Sequence, residues 1–294
     1  MLVTSALISG LGLGSMYGLL ALGFHITYSV SNTVNFSQGS SMMLGAVFAY
    51  AFAVGLGWPL AAAAAASLVL CGLYGIIVEF VAIRPFTRRG SNAWLMATVA
   101  IGLIADNIVL FTFGKEPRGF PMPASFTSAG ESVQLFGVGV SPLQLAIPVA
   151  GLAMAGLLHA FTRRTRLGKA LLAVVQNRDA ASLMGINVGA AVSASFALST
   201  MFAGMAGMLI APLFNVHSDM GTLFGLKAFA VAILGGISSA WGVMLAGLLF
   251  GVIEALITAL LGSSYTQILT FALVIVVLAF MPNGLFGLAD VNKV

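Results

Sequence analysis

Three carboxylates interrupt the long apolar runs of this chain: Glu79, Asp106 and Glu254. An acid at membrane depth is costly unless it is paired or hydrated, so each of them is a candidate for proton binding and release. Glu79 lies beside Arg84 near the end of its run, where an ion pair is expected. Asp106 either faces a polar interior or pairs with Lys115. Glu254 has no evident partner, and no intramembrane Lys or Arg can be assigned to any of the three.

A second concentration of polar residues lies between residues 162 and 189. This segment holds five of the twelve basic residues: Arg163, Arg164, Arg166, Lys169 and Arg178. It is too polar to cross a bilayer, and its apolar residues recur at helical spacing, which predicts an amphipathic helix or two short helices ending near Met184. Gly185 suits a helix C-terminus and Asn187 suits the N-cap of the next span. The alternative is a helix that lies in the lipid interface.

The residues needed for several other chemistries are missing from the sequence. No His, Cys, Asp or Glu cluster has metal-ligand spacing, and the single Cys71 excludes an intrachain disulfide. Gly168-Lys169 lacks the upstream Gly and the following Ser or Thr of a P-loop, so the chain does not itself hydrolyse ATP by that route. His25 and His159 lie near span ends, where an interfacial position is expected. We therefore expect a protein that is not an enzyme and carries no cofactor.

The elements that position these residues are membrane helices. Of all residues 60% are hydrophobic and only 7% are charged, which is too few charges for a soluble surface. The net charge is +4, and the basic residues cluster in loops between apolar runs, which does not indicate binding to nucleic acid. We predict an all-α polytopic membrane protein with one transmembrane domain, residues 1–294, in contact with the lipid bilayer. A span needs about 20 apolar residues, which gives eight: 2–28, 42–57, 60–83, 93–113, 142–161, 190–213, 241–261 and 267–281.

Loop charges predict the orientation of these spans. Residues 84–92 contain three arginines and no acid, so they are placed in the cytoplasm together with residues 162–189. Residues 114–141 balance their charges and are rich in Pro, Gly and Ser, which fits the outer side. Counting eight spans from these loops places both termini outside.

Two interruptions of the apolar runs are candidates for a polar path. One lies at residues 31–41 and the other at residues 228–240, where a half-helix, a Gly/Ser turn and a full helix are expected. Backbone that is not helical at membrane depth is tolerated only inside protein or against water, and such segments point to translocation pathways. An ordinary short loop is the alternative at the first interruption. The candidate pathway residues are Asn32, Asn35, Ser37, Gln38, Gly39, Gly235, Gly236, Ser238 and Ser239.

Glycines at helical spacing predict close helix packing. Gly10, Gly14 and Gly18 follow one another in the first span, and Gly247 and Gly251 do so in the seventh. Small residues every fourth position let helix backbones approach closely in lipid. We expect these glycines to be structural.

The sequence DAASLMG at residues 179–185 resembles the E-A-A-x-x-x-G cytoplasmic loop of ABC-importer permeases, with Asp179 in place of Glu. Three longer stretches resemble LivH-type branched-chain amino-acid permeases. They read GSMYGLLALGFHITYSVSNTVNFSQGSSMMLGA, RTRLGKALLAVVQNRDAASLMGINV and KAFAVAILGGISSAWGVMLAGLLFGVIEAL. The resemblance therefore runs along almost the whole chain. Its length without an N-terminal extension favours the LivH-like over the LivM-like type.

The resemblance implies a permease subunit that forms half of a membrane pathway in a bacterial inner (plasma) membrane. Its implied partners are a homologous LivM-like permease, two cytoplasmic ATPases that carry ATP and Mg, and a periplasmic or extracellular substrate-binding protein. The implied coupling residues, which dock on an ATPase, are Arg178, Asp179, Ala180, Ala181 and Gly185. The implied substrate is a branched-chain or hydrophobic amino acid.

Other functions stay open at this point. A stand-alone proton-coupled carrier would use Glu79, Asp106 or Glu254, and a passive channel would need none of them. A permease of the same family for urea, amides or other small solutes is a further alternative. His25 and Asp106 do not match the family pattern and would mark such a different substrate.

Overall fold

The computed structural model of the protein describes residues 2–120, 133–135, 138–140, 142–281 and 283–286. Within these ranges the chain is almost entirely helical, apart from one antiparallel hairpin of β1, Val133–Leu135, and β2, Val138–Val140. The helices are α1 (Leu2–Ser31), α2 (Gln38–Tyr50), α3 (Leu60–Val78), α4 (Arg84–Thr87), α5 (Trp94–Phe113), α6 (Pro142–Arg164), α7 (Arg166–Gln176), α8 (Arg178–Leu183), α9 (Val188–Ile210), α10 (Met220–Leu234), α11 (Ala240–Leu261) and α12 (Ser263–Phe280). A π-helical turn, Ala51–Gly55, extends α2, and another, Glu79–Ile83, joins α3 to α4.

Seven helices of the described ranges are long and apolar enough to cross a bilayer. They correspond to seven of the eight predicted spans, so the predicted all-α polytopic fold is confirmed. The remaining prediction, residues 42–57, coincides with α2 and its π-helical turn, which begin earlier, at Gln38, with a polar first turn. The predicted turn at Pro59 is also present, because α3 begins at Leu60 with Pro59 as its N-cap.

The glycines of α1 and α11 pack these two helices directly together. A Cβ atom built on Gly14 would lie 2.7 Å from the carbonyl oxygen of Gly247, and one on Gly247 would lie 2.6 Å from the Cα of Gly18. Gly10 makes the same kind of approach to Gly251. Real Cβ atoms do not come so close to backbone, so even alanine would force the helices apart. The prediction that these glycines serve helix packing is confirmed.

An additional helix changes the predicted topology at the C-terminal end. The short apolar helix α10 returns the chain from the end of the bundle where residues 118 and 216 form a β-bridge to the end that carries residues 162–189. Residues 283–286, which follow α12, then lie at the same end of the bundle as residues 162–189, because the Leu285 amide donates to the Leu234 carbonyl at 2.7 Å. The predicted number of passes between residues 162–189 and the C-terminal end is therefore one too low. The cause is that α10, with 15 residues, was not counted as a pass.

Candidate functional site

The first interruption is a true break between two helices. Helix α1 ends at Ser31, Asn32 takes a left-handed φ of 55°, and α2 begins at Gln38. The Asn35 side-chain oxygen accepts hydrogen bonds from the Ser37 amide at 3.1 Å and the Ser37 hydroxyl at 2.7 Å, which folds the connection on itself. The predicted interruption is therefore present, but only residues 32–37 are non-helical, and Gln38 and Gly39 form the first turn of α2.

Gln38 lies buried between helices rather than along an open cavity. Its side-chain nitrogen donates to the Ser199 carbonyl at 3.1 Å, and its side-chain oxygen lies 3.0 Å from the Ser199 hydroxyl. That hydroxyl is also 2.8 Å from the carbonyl of Gly23. The Gln38 amide thus ties the start of α2 to the middle of α1 and α9.

The second interruption has the predicted half-helix, turn and full helix. Helix α10 ends at Leu234, Gly236 has a φ of 77°, and the Ser239 hydroxyl caps α11 by accepting from the Gly242 amide at 3.2 Å. Gly235 packs against the first turn of α11, where a Cβ atom would lie 2.5 Å from the Cα of Val243. The half-helix starts at Met220, well before the predicted start at residue 228.

The two breaks meet the segment 162–189 at one place, which we name the cytoplasmic junction after the side predicted for that segment. This cavity of about 550 Å³ is lined by Tyr28, Ser29, Asn32, Val174, Val175, Gln176, Asn177, Arg178 and Ser238. The Arg178 guanidinium donates to the Val30 carbonyl at 2.5 Å, which attaches α8 to the last turn of α1. His25 in turn donates through Nδ1 to the Ile237 carbonyl at 2.7 Å, which attaches α1 to the second break. Asn32, Arg178 and Ser238, predicted separately, are therefore brought together.

The predicted pair of short helices is present as α7 and α8. The Asn177 side chain caps α8 by accepting from the Ala180 amide at 2.9 Å, and Gly185 ends the segment with a φ of 82°. Asn187 caps α9 as predicted, accepting from the Ala190 amide at 3.0 Å. Ala181 is buried in a small apolar cluster, while Asp179 and Ala180 are exposed. One face of α8 therefore rests on the protein and the other is free.

Two large apolar residues on that free face were missed by the sequence analysis. Leu183 is 88% exposed and Met184 is 83% exposed, next to Gly185. They lie next to each other at the end of the basic segment, as apolar side chains that the rest of the described structure does not cover. The available signal was the Leu-Met pair inside the DAASLMG motif itself.

A second cavity, the central groove, lies where the first break meets α5 and α10. Its volume is about 160 Å³, and it is lined by Phe24, Phe36, Gly39, Ser40, Val99, Gly102, Leu103, Asp106, Thr222, Gly225, Leu226 and Phe229. Phe36 and Phe229 pack with ring centroids 5.1 Å apart. A Cβ atom on Gly39 would clash with the Gly221 carbonyl, so this glycine allows α2 and α10 to touch. Of the predicted pathway residues only Gly39 lines this groove.

Comparison with known proteins identifies the family to which these features belong. A family model described as the permease component of the branched-chain amino acid transport system matches residues 6–278. The chain is 32% identical over 298 residues to the high-affinity branched-chain amino acid permease protein LivH of Escherichia coli K12, covering 97% of this chain and 96% of LivH. The chain belongs to the branched-chain amino acid permease family. BraD of Pseudomonas aeruginosa is 34% identical to this permease over 301 residues, 98% of this chain and 97% of BraD.

More distant similarities extend the comparison. The ribose import permease protein RbsC of Escherichia coli K12 is 27% identical over 281 residues, 92% of this chain and 83% of RbsC. A solved structure, PsaBC from Streptococcus pneumoniae in complex with Fab, superposes with a TM-score of 0.51 over 95% of this permease and 91% of that chain. Its sequence identity of 13% limits that likeness to the fold.

The carboxylates of the permease occupy three different environments. Glu79 accepts two hydrogen bonds from Arg84, at 3.0 and 3.1 Å, and one from the Ser193 hydroxyl at 2.9 Å, so the predicted ion pair is confirmed. Asp106 lines the central groove, where one of its oxygens is buried with no hydrogen-bond partner among the described residues. No ion pair between Asp106 and Lys115 is present in the described ranges, and Asp106 faces the central groove, whose lining is mostly apolar.

Glu254 has a partner that the sequence analysis missed. The Lys227 ammonium on α10 donates to Glu254 on α11 at 2.5 Å, with both side chains at most 10% exposed. The Lys227 nitrogen also lies 5.9 Å from the centre of the Tyr17 ring on α1. The prediction that Glu254 is unpaired is wrong, because the second apolar run was started at residue 228 and Lys227 was left outside it.

Proposed function

We propose that this chain is the permease subunit of an ATP-driven (ABC) importer in a bacterial inner membrane and forms half of the pathway for a branched-chain or hydrophobic amino acid. Residues 1–294 form a single transmembrane domain in this proposal, with residues 162–189 as its coupling loop. The partners are a second, LivM-like permease, two cytoplasmic ATPases that bind ATP and Mg, and an external substrate-binding protein. Membership of the branched-chain amino acid permease family and the relation to LivH and BraD support this function.

The observation that carries the proposal is that α8 is bonded to the end of α1, next to the first break, and shares a cavity with the second break. Arg178 is bonded to the carbonyl of Val30 at the end of α1, and the cavity beside it contains Asn32 from one break and Ser238 from the other. A hydrogen bond from a charged group is stronger than a neutral one, so Arg178 is suited to transmit a displacement. Movement of α8 by an ATPase would then alter the two breaks together.

The free face of α8 supplies the ATPase contact in this proposal. Leu183 and Met184 insert into a groove of the ATPase, and the exposed Asp179 fixes the register. Gly185 allows the sharp exit of the chain, since its left-handed φ of 82° disfavours residues with a side chain. Ala181 faces the protein and lets α8 lie close to α7 and α9.

The central groove has the chemistry expected for a hydrophobic amino acid. Phe36 and Phe229 offer apolar surface to an aliphatic side chain, and the Asp106 carboxylate is placed to accept hydrogen bonds from an ammonium group. A hydrogen bond from such a cation is most stabilising for a buried carboxylate oxygen that has no other partner. We propose that the groove contributes half of the pathway and the second permease the other half.

The ion pairs of the acids weigh against a proton-coupled carrier. Two of the three candidate carboxylates, Glu79 and Glu254, are bonded to Arg84 and Lys227. Uptake that survives deletion of the ATPases and collapses with the proton gradient would establish that carrier instead. Uptake that survives both treatments would indicate a passive channel. Binding measurements on the partner binding protein separate amino acids from urea, amides and other small solutes.

A pair of variants tests the coupling role directly. Leu183→Asp is expected to abolish co-purification of the ATPases, because a charge replaces an apolar contact. Arg178→Gln is expected to retain the ATPases and to lower uptake by about ten- to hundredfold, since a charge-assisted hydrogen bond contributes about 1.5–3 kcal/mol. The matched controls are Leu167→Asp and Arg166→Gln, exposed residues on α7 that are expected to behave as wild type. Normal uptake by Arg178→Gln would contradict the mechanism. So would an equal loss of uptake in Arg178→Gln and Arg166→Gln, or an equal loss of ATPase co-purification in Leu183→Asp and Leu167→Asp.

A further inference from the structure

A large cavity opens on the side of the molecule formed by α1, α6 and α11. Its volume is about 680 Å³, within the range of ligand-binding sites. We name it the lateral cavity. Its walls are mostly apolar, and they include Leu22 and Ile26 of α1, Leu158 of α6 and Met244 of α11. Helix α7 closes its cytoplasmic end.

The polar groups of the lateral cavity lie at that cytoplasmic end. Arg163 on the last turn of α6 lines the cavity and makes no ion pair with any described residue. His159, one turn earlier, and Trp241 at the start of α11 have ring centres 6.0 Å apart. No acidic side chain is among the lining residues. The cavity therefore combines an apolar interior with an uncompensated cation at the membrane surface.

The surroundings of the lateral cavity are those of a lipid-facing surface. Leu152 and Leu157 of α6 are 48% and 61% exposed, and Leu245 and Leu249 of α11 are 43% and 50% exposed. Trp241 itself is 58% exposed, as expected for a tryptophan at a membrane interface. A hydrophobic molecule that enters between these helices therefore meets apolar side chains on both sides.

We propose that the lateral cavity binds an anionic phospholipid of the cytoplasmic leaflet. Basic pockets between helices on the cytoplasmic side are a recognised arrangement for anionic headgroups. Arg163 pairs with the phosphate, an acyl chain lies along Leu158 and Met244, and Trp241 packs at the level of the headgroup. The lining also includes Ser238 of the second break, so a bound lipid contacts the cytoplasmic junction from the membrane side.

Lipid retention by the purified full chain tests this site. Native mass spectrometry compares phosphatidylglycerol with phosphatidylcholine in wild type, Arg163→Gln and Arg164→Gln, the last being the matched control because Arg164 is exposed and does not line the cavity. Wild type is expected to retain phosphatidylglycerol preferentially. A basic residue near a membrane surface contributes about 1 kcal/mol, so Arg163→Gln is expected to lose about fivefold in that preference. Arg164→Gln is expected to keep it, and Arg163→Lys is expected to keep most of it.

A fluorescence measurement on the folded protein gives an independent readout. The chain has three tryptophans, and Trp58→Phe with Trp94→Phe leaves Trp241 as the reporter. Phosphatidylglycerol with brominated acyl chains is expected to quench Trp241 more than brominated phosphatidylcholine does. Equal quenching of Trp241 by the two brominated lipids would overturn the proposal. An equal loss of the preference for phosphatidylglycerol in Arg163→Gln and Arg164→Gln would overturn it too. No retention of phosphatidylglycerol by wild type would overturn it as well.

Discussion

Replacement of Lys227 by methionine is the most informative perturbation of the bundle, because it removes a charge while keeping the length of the side chain. The Lys227 nitrogen lies 2.5 Å from Glu254, and the two side chains are only 6% and 10% exposed. In the variant the Glu254 carboxylate remains between α10, α11 and α1 without its cation. Its second oxygen already has no partner among the described residues.

The expected cost follows from the burial of the pair. Removal of one partner from a buried ion pair costs about 3–5 kcal/mol, whereas replacement of both by apolar residues of similar volume is about neutral or stabilising. Because about 1.4 kcal/mol is a factor of ten, the unfolding constant of Lys227→Met should rise between about a hundredfold and four-thousandfold. The double variant Lys227→Met with Glu254→Met should return close to wild type.

Unfolding of the purified protein in mixed micelles by increasing amounts of a denaturing detergent, followed by tryptophan fluorescence, measures this difference. Lys169→Met on the exposed face of α7 is the control for loss of a positive charge. Two results would refute the reasoning: a single variant that loses less than about 1 kcal/mol, the value of an exposed pair, or a double variant no more stable than the single one.

Two further changes test the helix packing and the groove. Gly247→Ala is expected to lower stability by about 1–3 kcal/mol in the same unfolding assay, since the new methyl group meets the backbone of Gly18. Gly156→Ala is its control, because nothing lies within 4 Å of that Cβ position, and equal effects would contradict the packing argument. Asp106→Asn is expected to raise the substrate concentration for half-maximal uptake by about tenfold while ATPase co-purification is unchanged, because the ammonium partner is lost. Asn107→Ala is the matched control, and an unchanged Asp106→Asn would remove Asp106 from the substrate site.

The sequence was sufficient for those features that depend on local pattern. Hydrophobic length located the spans, glycine spacing indicated that α1 and α11 each pack closely against another helix, and Asn187 and Gly185 marked helix ends where the structure has them. Each of these signals arises within a single helix or at its end. They need no knowledge of which helices are neighbours.

Features that depend on tertiary contacts were not accessible in the same way. Lys227 and Glu254 are separated by a turn and lie on different helices, so their pairing depends on how α10 packs against α11. Gln38 was expected along an open path because it is polar and follows a break. Its side chain instead satisfies hydrogen bonds between α1 and α9, a use that only the packed bundle reveals. A polar residue in a membrane helix can either line a solute path or form hydrogen bonds that hold neighbouring helices together.

The contacts of α1 determine how far a displacement of α8 would travel. Arg178 holds the last turn of α1, His25 holds the second break, and the glycines of α1 are in direct backbone contact with α11. Because a packed helix pair of this kind does not deform easily, a pull on Val30 should move α1, the turn at residues 235–239 and α11 as one body. On this argument the α1–α11 glycines are needed for coupling as well as for stability, so Gly247→Ala should reduce uptake more than it reduces the amount of inserted protein.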